Sequence, residues 1–589
     1  MKKILFIFLF SLPAFQAFAY EDRMPTEEIQ GVLEKARLNE VFERYLATIQ
    51  MFDPERATRM GLHGSDFSLT ERTQERLDKE LLTFRKLRDK LHEIKKDSMY
   101  PALRVDYNLL DRMLEVDIFE GENLEVMQLR PQYYLEPLFS VYSLMGKDFD
   151  TYNTRAANAI ARLNQLPLIL DQAQRNLTRP PLIWTELAIK QTEDAIAGIS
   201  DFVPIFRGYT RYDPVLKAKV DDTLEQVKIA LERYSDFLQQ DILPASDGDF
   251  RTGELTYGFY LERWHALDIT SGAAYRYAKK SFKKSMKELE KAAENIDAIL
   301  AREKGWKAVL DKVPKDHPPE NMVLKVFQDE MDRAYQHFDE YKVVVFPTQR
   351  LLIERMPAFA SSVFPYVYYS GPFSLDINRI SELFVSLPSE SLSGPAREKI
   401  LQEGFNYPQM ELLSAYAIMP GLHLLSFQSN LNPSKIRKIS RQPMVENGWA
   451  CYAELLADEM GYYSSYWSHF LRVYVSALRA ARAYMDASLH LQNITEAEAI
   501  DFFRENLYFS EAQARGEVLR ISLSPTQSLS FVMGVDRILK MRKDSKHTER
   551  EYFDLRKFHT AFLKEGEIPL GDIEAELKRQ KIEDENPIK

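Results

Sequence analysis

The sequence predicts an all-α protein: one large multi-helix domain with two lobes around a cleft. Three observations carry that expectation. Apolar residues recur at threes and fours through most of the chain. Only 22 of the 589 residues are glycine, and no internal repeat or low-complexity linker interrupts the pattern. One short stretch alone has the density of β-branched and aromatic residues that a strand needs, VFPYVYY at Val363 to Tyr369, closed by Ser370-Gly371-Pro372. Pro365 keeps it from being a central strand, so it is expected as an edge strand or an extended pocket wall carrying Tyr369.

In chain order, residues 1–19 have the form of an export signal. Lys2 and Lys3 give a charged start, Ile4 to Leu12 an apolar run of nine residues, and Ala17-Phe18-Ala19 a small-x-small cleavage site. The apolar run is too short for a stable membrane-spanning helix, and no other segment is expected to span a bilayer. No cysteine lies near the cleavage site, so a lipid anchor is not expected. The expected mature chain, 20–589, is one domain placed in the periplasm or outside the cell.

Helices are expected over Glu27–Gln50, Leu77–Lys95 and Leu103–Asp117 from their apolar stripes. Thr154–Leu163 is expected to end against Pro167, and Ile183–Ile199 to begin after Pro180-Pro181. Pro214–Gln240 and Ser271–Glu303 read as long helices, the second carrying the charged run KKSFKKSMKELEKAAE as a solvated face. Glu411–Leu425, Asn447–Leu478 and Thr495–Asn506 follow, the last opened by a capping box of Thr495 with Glu498.

Charge and composition exclude several functions. The formal net charge of −11 becomes −13 once Lys2 and Lys3 leave, which disfavours a nucleic-acid partner. With Cys451 as the single cysteine there is no intramolecular disulfide, and its apolar helical setting is that of an inert buried thiol. The chain has no HExxH, glycine-rich phosphate loop, GxSxG or CxxC, and its ten histidines are scattered. Local rules alone declare no activity.

The stretch Ser414–Glu459 is more informative. ENGWACYAELLADEMG resembles E-G-W-A-L-Y-A-E-x-L-A-D-E-L-G, a signature of the bacterial domain-of-unknown-function family 885. RLNQLPLILDQAQRNLTRPP, FRTGELTYGFYL, YMDASLHLQNITEAEAIDFF and EVLRISLSPTQSLSFVMG resemble further blocks of that family, in its order, over nearly the whole mature chain. The resemblance implies a zinc-metallopeptidase-like, all-helical protein whose metal motif runs H-E-A-Y-P-G-H-H-L-Q.

The departures from that motif are specific. Pro420, Gly421 and His423 are kept, but Tyr416 and Ala417 replace the leading His-Glu pair, and Leu422 replaces the first histidine after the glycine. Asn447 replaces the glutamate before Gly-Trp, with Glu446 one residue earlier. Ile521 and Phe531 stand where the family carries tyrosines, and Ala487-Ser488 where it carries Thr-Gly. Alanine and leucine offer zinc no lone pair, and Ala417 cannot take a proton from a metal-bound water. Scaffold residues such as Gly448, Trp449, Pro525 and Gly534 persist.

The resemblance therefore implies an exported, catalytically inactive relative with no catalytic residue, no metal and no cofactor. It would retain a cleft for a peptide or an envelope protein, lined by candidates Tyr369, His423, Glu446, Glu454, His490 and Arg520. Asp486 and His490, four residues apart, could pair on one helix face. Two alternatives stand beside this reading: an active zinc peptidase with displaced ligands, in which His423, His490, Glu446 and Glu454 converge, and a structural or assembly factor of the envelope.

Overall fold

The computed structural model describes residues 26–585 apart from 362–365, 378, 390–391 and 493. The export signal expected at 1–19 lies outside them. The described chain is all-α with one small sheet. The helices that build the core and its cavity are α1 (Thr26–Phe52), α2 (Pro54–Met60), α3 (Pro101–Asn123), α4 (Glu136–Gly146), α5 (Tyr152–Asn176), α6 (Pro214–Phe237), α7 (Ser271–Ile296), α8 (Tyr407–Ala417), α9 (Leu422–Leu431), α10 (Pro443–Glu459), α11 (Tyr466–Leu491) and α12 (Gln527–Glu549).

The periodic stripes are buried as expected, with shifts at their ends. In α1 the core face is Leu38, Val41, Phe42, Tyr45 and Ile49, while Val32 and Leu33 are exposed. α7 buries Ala274, Ala278, Phe282, Leu289 and Ala293 along α11, and turns Lys283, Lys284, Lys287 and Lys291 to solvent. Apolar side chains gather in separate clusters. The largest joins α1, α3, α8, α9 and α10 around fully buried Trp449. The second joins α4, α5 and α6 through Leu138, Val141, Leu166, Leu170, Val227 and Leu231.

Several boundaries differ from the sequence expectation. α5 runs through Pro167 instead of ending before it. Leu163, Leu166, Ile169, Leu170 and Ala173 form one buried face on both sides of the proline. Burial of that face, at roughly 1.5–3 kcal/mol per large side chain, outweighs the roughly 3 kcal/mol a helical proline costs. The helix expected over Ser271–Glu303 stops at Ile296, where Asp297 accepts a hydrogen bond from Leu300 N at 2.9 Å and starts a second helix, Ala298–Leu310. The helix expected over Asn447–Leu478 is two helices, α10 and α11, separated around Gly461 with φ +70°. The capping box of Thr495 and Glu498 is formed.

The sheet holds three strands in the order β1-β3-β2, where β1 is Arg350–Arg355, β2 Val367–Ser370 and β3 Ile380–Val385. β2 is the expected edge strand, antiparallel to β3 with Tyr369 opposite Leu383. β1 pairs with β3 in parallel, Arg350 opposite Ile380. The stretch Tyr407–Leu431 is apolar enough by composition to cross a membrane, contrary to the sequence expectation, but 83% of its window is buried in the protein. It is two core helices, α8 and α9, broken at Ile418–Gly421.

α10 and α12 cross at a contact between backbones. A Cβ on Gly448 would lie 2.7 Å from the Cα and carbonyl carbon of Gly534, and one on Gly534 would lie 2.4 Å from Met444 O. Backbone cannot move aside as a flexible side chain can. Gly448→Ala and Gly534→Ala are each expected to destabilise the protein by about 3 kcal/mol or more, read by urea unfolding. A loss below about 1 kcal/mol would show that the crossing tolerates separation.

Candidate functional site

Two structural breaks shape the site. α8 ends at Ala417, and Ile418 N and Met419 N both donate to Ser414 O, at 2.9 and 3.1 Å. The chain then turns through a cis Met419–Pro420 bond. Gly421 is required there, because a Cβ would stand 1.8 Å from Tyr416 O. Trp449 Nε1 donates to Pro420 O at 2.9 Å and ties this turn to α10. α10 itself opens with Pro443 in its first turn, where a missing N–H costs nothing.

At the positions that the family resemblance sets against a metal motif, Ala417, Leu422 and Asn447 are buried and Tyr416 is half-buried. Ala417 and Leu422 are apolar, and Leu422 reaches the cavity described below. Asn447 Nδ2 donates to Ser530 Oγ at 2.8 Å. Burial holds the Tyr416 hydroxyl protonated well above its ordinary range. The Arg479 guanidinium lies 5.0 Å from the centre of the Tyr416 ring and 5.7 Å from that of Phe531. Both oxygens of Glu454 accept from it, Oε1 at 2.8 Å from Nη2 and Oε2 from Nη1. A zinc ion does not fit this donor set: the carboxylate is committed to a cation, the amide to a serine, and two positions carry hydrocarbon. Among the described residues no three His, Cys, Asp or Glu side chains are grouped so as to hold a metal ion.

His423 is fully buried and faces the sheet. Its Nδ1 is 3.3 Å from Tyr369 OH, which is 2.8 Å from Ser381 Oγ, and its Nε2 has no hydrogen-bond partner among the described residues. Burial pushes the imidazole down to about 4, so it is neutral. His490 lies elsewhere, with Nδ1 accepting from Thr252 N and Nε2 donating to Ile521 O, each at 3.3 Å. It does not pair with Asp486. That carboxylate instead accepts from Thr526 N at 3.0 Å and Ser528 N at 3.2 Å, capping α12. Arg520 Nε is 3.8 Å from Glu517, whose carboxylate also takes Arg482.

A cavity of about 620 Å³ opens beside the aligned metal positions, within the size of small-ligand sites. Its walls come from α2, α3, α4, β2 and the loop after it, α9 and the start of α10. Of the six candidates, Tyr369 and Glu446 line it, whereas His423, Glu454, His490 and Arg520 do not.

The cavity is unusually charged, and most of its charges are committed. Arg56 holds Asp117 at 2.8 Å, and Tyr45 OH donates to the same carboxylate at 2.8 Å. Lys147 lies 3.3 Å from Glu382, which is fully buried, and donates to Ser370 Oγ at 3.1 Å and to Gly371 O. Arg441 donates to Glu567 Oε1 at 2.7 Å and to Ser374 Oγ at 3.1 Å. The Arg59 and Glu446 side chains line the same space with no hydrogen bond or ion pair among the described residues. Burial raises Glu446 to about 7, helped by the charge of Glu567 and opposed by Arg441. Sequence reasoning missed Arg59, Lys147, Glu382, Arg441 and Glu567. Glu382 inside the apolar run ISELFV was the one local signal, a charge where a strand should be apolar.

The fold and the site define a large all-helical protein with a charged cavity. The family model of "Bacterial protein of unknown function (DUF885)" matches residues 54–577, and the chain belongs to that family. Two solved structures share the fold. One, "a putative lipoprotein of unknown function" from Shewanella oneidensis, is 20% identical with a TM-score of 0.72, covering 92% of this chain and 99% of that one. The other, "the putative lipoprotein" from Colwellia psychrerythraea, is 17% identical with a TM-score of 0.74, covering 93% and 99%. A search of curated proteins found no match.

Two predictions test this geometry. Glu454→Ala strands Arg479 without a counter-charge and is expected to cost about 3–5 kcal/mol in urea unfolding. Adding Arg479→Met should recover much of that, and additive losses in the double variant would show the two groups to be uncoupled. The second concerns pH. A carboxyl with a folded pKa above its unfolded value binds its proton more tightly when folded, so stability falls as pH rises from about 4.5 to about 7. Glu446→Gln should therefore match the wild type at pH 4 and exceed it by up to roughly 3 kcal/mol at pH 8. A pH-independent difference would remove Glu446 as the titrating group.

Proposed function

We propose that this chain is an exported envelope protein that has lost peptidase chemistry and uses the retained cavity to bind a peptide or a peptide segment of a partner protein. One observation carries the reading. The aligned metal positions hold Tyr416, Ala417, Leu422 and Asn447, with the Arg479–Glu454 ion pair against Tyr416, while a cavity of about 620 Å³ remains open next to Leu422. A core with no ligand to bind would be expected to fill such a space, since empty volume costs stability. The cavity also mixes both signs of charge with aromatic wall from Tyr368, Tyr369 and Phe373, which suits the alternating charges and amides of a peptide. Export is supported by the signal-like residues 1–19 and by the description of both solved neighbours as lipoproteins.

The test uses purified protein and a mixture of casein-derived peptides. Elemental analysis is expected to give far less than one zinc per chain, with no peptide cleavage that a chelator abolishes. The same peptides are expected to raise thermal stability, by about 2.7 kcal/mol at a hundredfold excess over Kd. Stoichiometric zinc that disappears in His423→Ala would establish an active, displaced metal centre instead.

A further inference from the structure

We propose that the end of the cavity formed by Glu446 and Glu567 accepts a primary ammonium group, of the kind a peptide carries at its N-terminus or on a lysine side chain. This rests on the peptide-binding reading above. Glu567 is 3% exposed, with Oε1 held by Arg441 at 2.7 Å and Oε2 buried without a hydrogen-bond partner among the described residues. Both it and Glu446 line the cavity, and the Glu446 side chain makes no hydrogen bond or ion pair among those residues.

The charge count at this end is unbalanced. Arg441 is ion-paired with Glu567, and Glu446, which lines the cavity together with Tyr369, Leu422 and Leu425, has no ion pair of its own among the described residues. An unpaired carboxylate against apolar wall is costly, and the empty protein meets that cost by tending to keep a proton on Glu446. Neither remaining cation of the cavity serves: Lys147 is committed to Glu382, Ser370 and Gly371, and Arg59 lines the cavity but makes no ion pair with Glu446 or Glu567.

A ligand ammonium supplies what is missing, one positive charge and three N–H donors. Glu567 Oε2 and the Glu446 carboxylate are the acceptors waiting for them. A divalent metal would need more donors than two carboxylates give, and none is grouped there. A guanidinium already occupies Oε1 of Glu567, so the remaining position suits a compact head better than a second planar fork.

The experiment is calorimetric titration at pH 8 with trialanine amide, N-acetyl-trialanine amide and N-acetyl-Ala-Lys-Ala amide, on wild type, Glu446→Gln and Glu567→Gln. The wild type is expected to bind at least one of the two ammonium-bearing peptides tenfold or more tighter than N-acetyl-trialanine amide. Each glutamine variant should remove that preference while unfolding cooperatively like the wild type at pH 6. Preference for trialanine amide assigns the N-terminal ammonium, and preference for the lysine peptide assigns the side chain. Equal binding of acetylated and free trialanine amide with no gain from lysine overturns the ammonium assignment and leaves the peptide-binding reading intact. A preference that survives in both variants overturns the choice of residues. No binding of any of the three at millimolar concentration, with no stabilisation by the casein-derived mixture, sinks both.

Discussion

The contact of Gly448 with Gly534 sets the position of every group at the candidate site. Successive residues of a helix project about 100° apart, so the four residues Glu446 to Trp449 point in four directions from one turn of α10. With α10 pressed backbone to backbone on α12, Asn447 meets Ser530 at 2.8 Å, Trp449 reaches Pro420 O at 2.9 Å, and Glu446 is left facing the cavity. A side chain at either glycine would separate the helices and move all three. This gives Gly448, Gly534 and Trp449 a packing role that their neighbours do not share. The scaffold requirement is steric and independent of any reaction.

The second constraint is electrostatic. The cavity brings several cations and several carboxylates together, and those that are buried cost several kcal/mol each unless paired. Most pairs close across distant parts of the chain: Arg56 with Asp117, Lys147 with Glu382, Arg441 with Glu567. These pairs hold α2, α3, α4 and the sheet in register around the cavity without filling it. An apolar core would reach the same stability more simply, and often with a gain when ion pairs are replaced by well-packed hydrocarbon. Charged walls around an open volume are the arrangement expected where a polar ligand replaces water.

Much of the fold was legible in the sequence because a 3.6-residue stripe is a local signal. α1, α3 and the helix capped by Thr495 could be read from their own residues. The misreadings arose where tertiary burial overrode a local rule, as at Pro167, or where a single residue ended a helix without breaking the stripe, as at Asp297 and around Gly461. β1 and β3 were missed because RLLIER and ISELFV carry charges that a strand pattern rejects, and Glu382 is tolerated only because Lys147 reaches it. The site was less legible for a similar reason. Tyr369 came into view through the VFPYVYY stretch and Glu446 through the family resemblance, but Glu567 lies 126 residues from Arg441, and no spacing rule connects residues that far apart. His490 and Arg520 looked like site residues because polar groups in apolar helices attract attention, yet each is satisfied or paired within its own packing.

The groups around Arg479 also depend on one another. Glu454 is 2% exposed, and a carboxylate that deep must be paired. Arg479 pairs with it and lies against Tyr416 and Phe531. A divalent cation placed about 5 Å from that guanidinium would meet a repulsion of roughly 7 kcal/mol at an effective dielectric of about 20. A histidine at Tyr416 would leave that repulsion in place and take from Arg479 an aromatic face worth about 0.5–2 kcal/mol. Arginine and aromatic residues thus stabilise each other here, and a change at one calls for a change at the others.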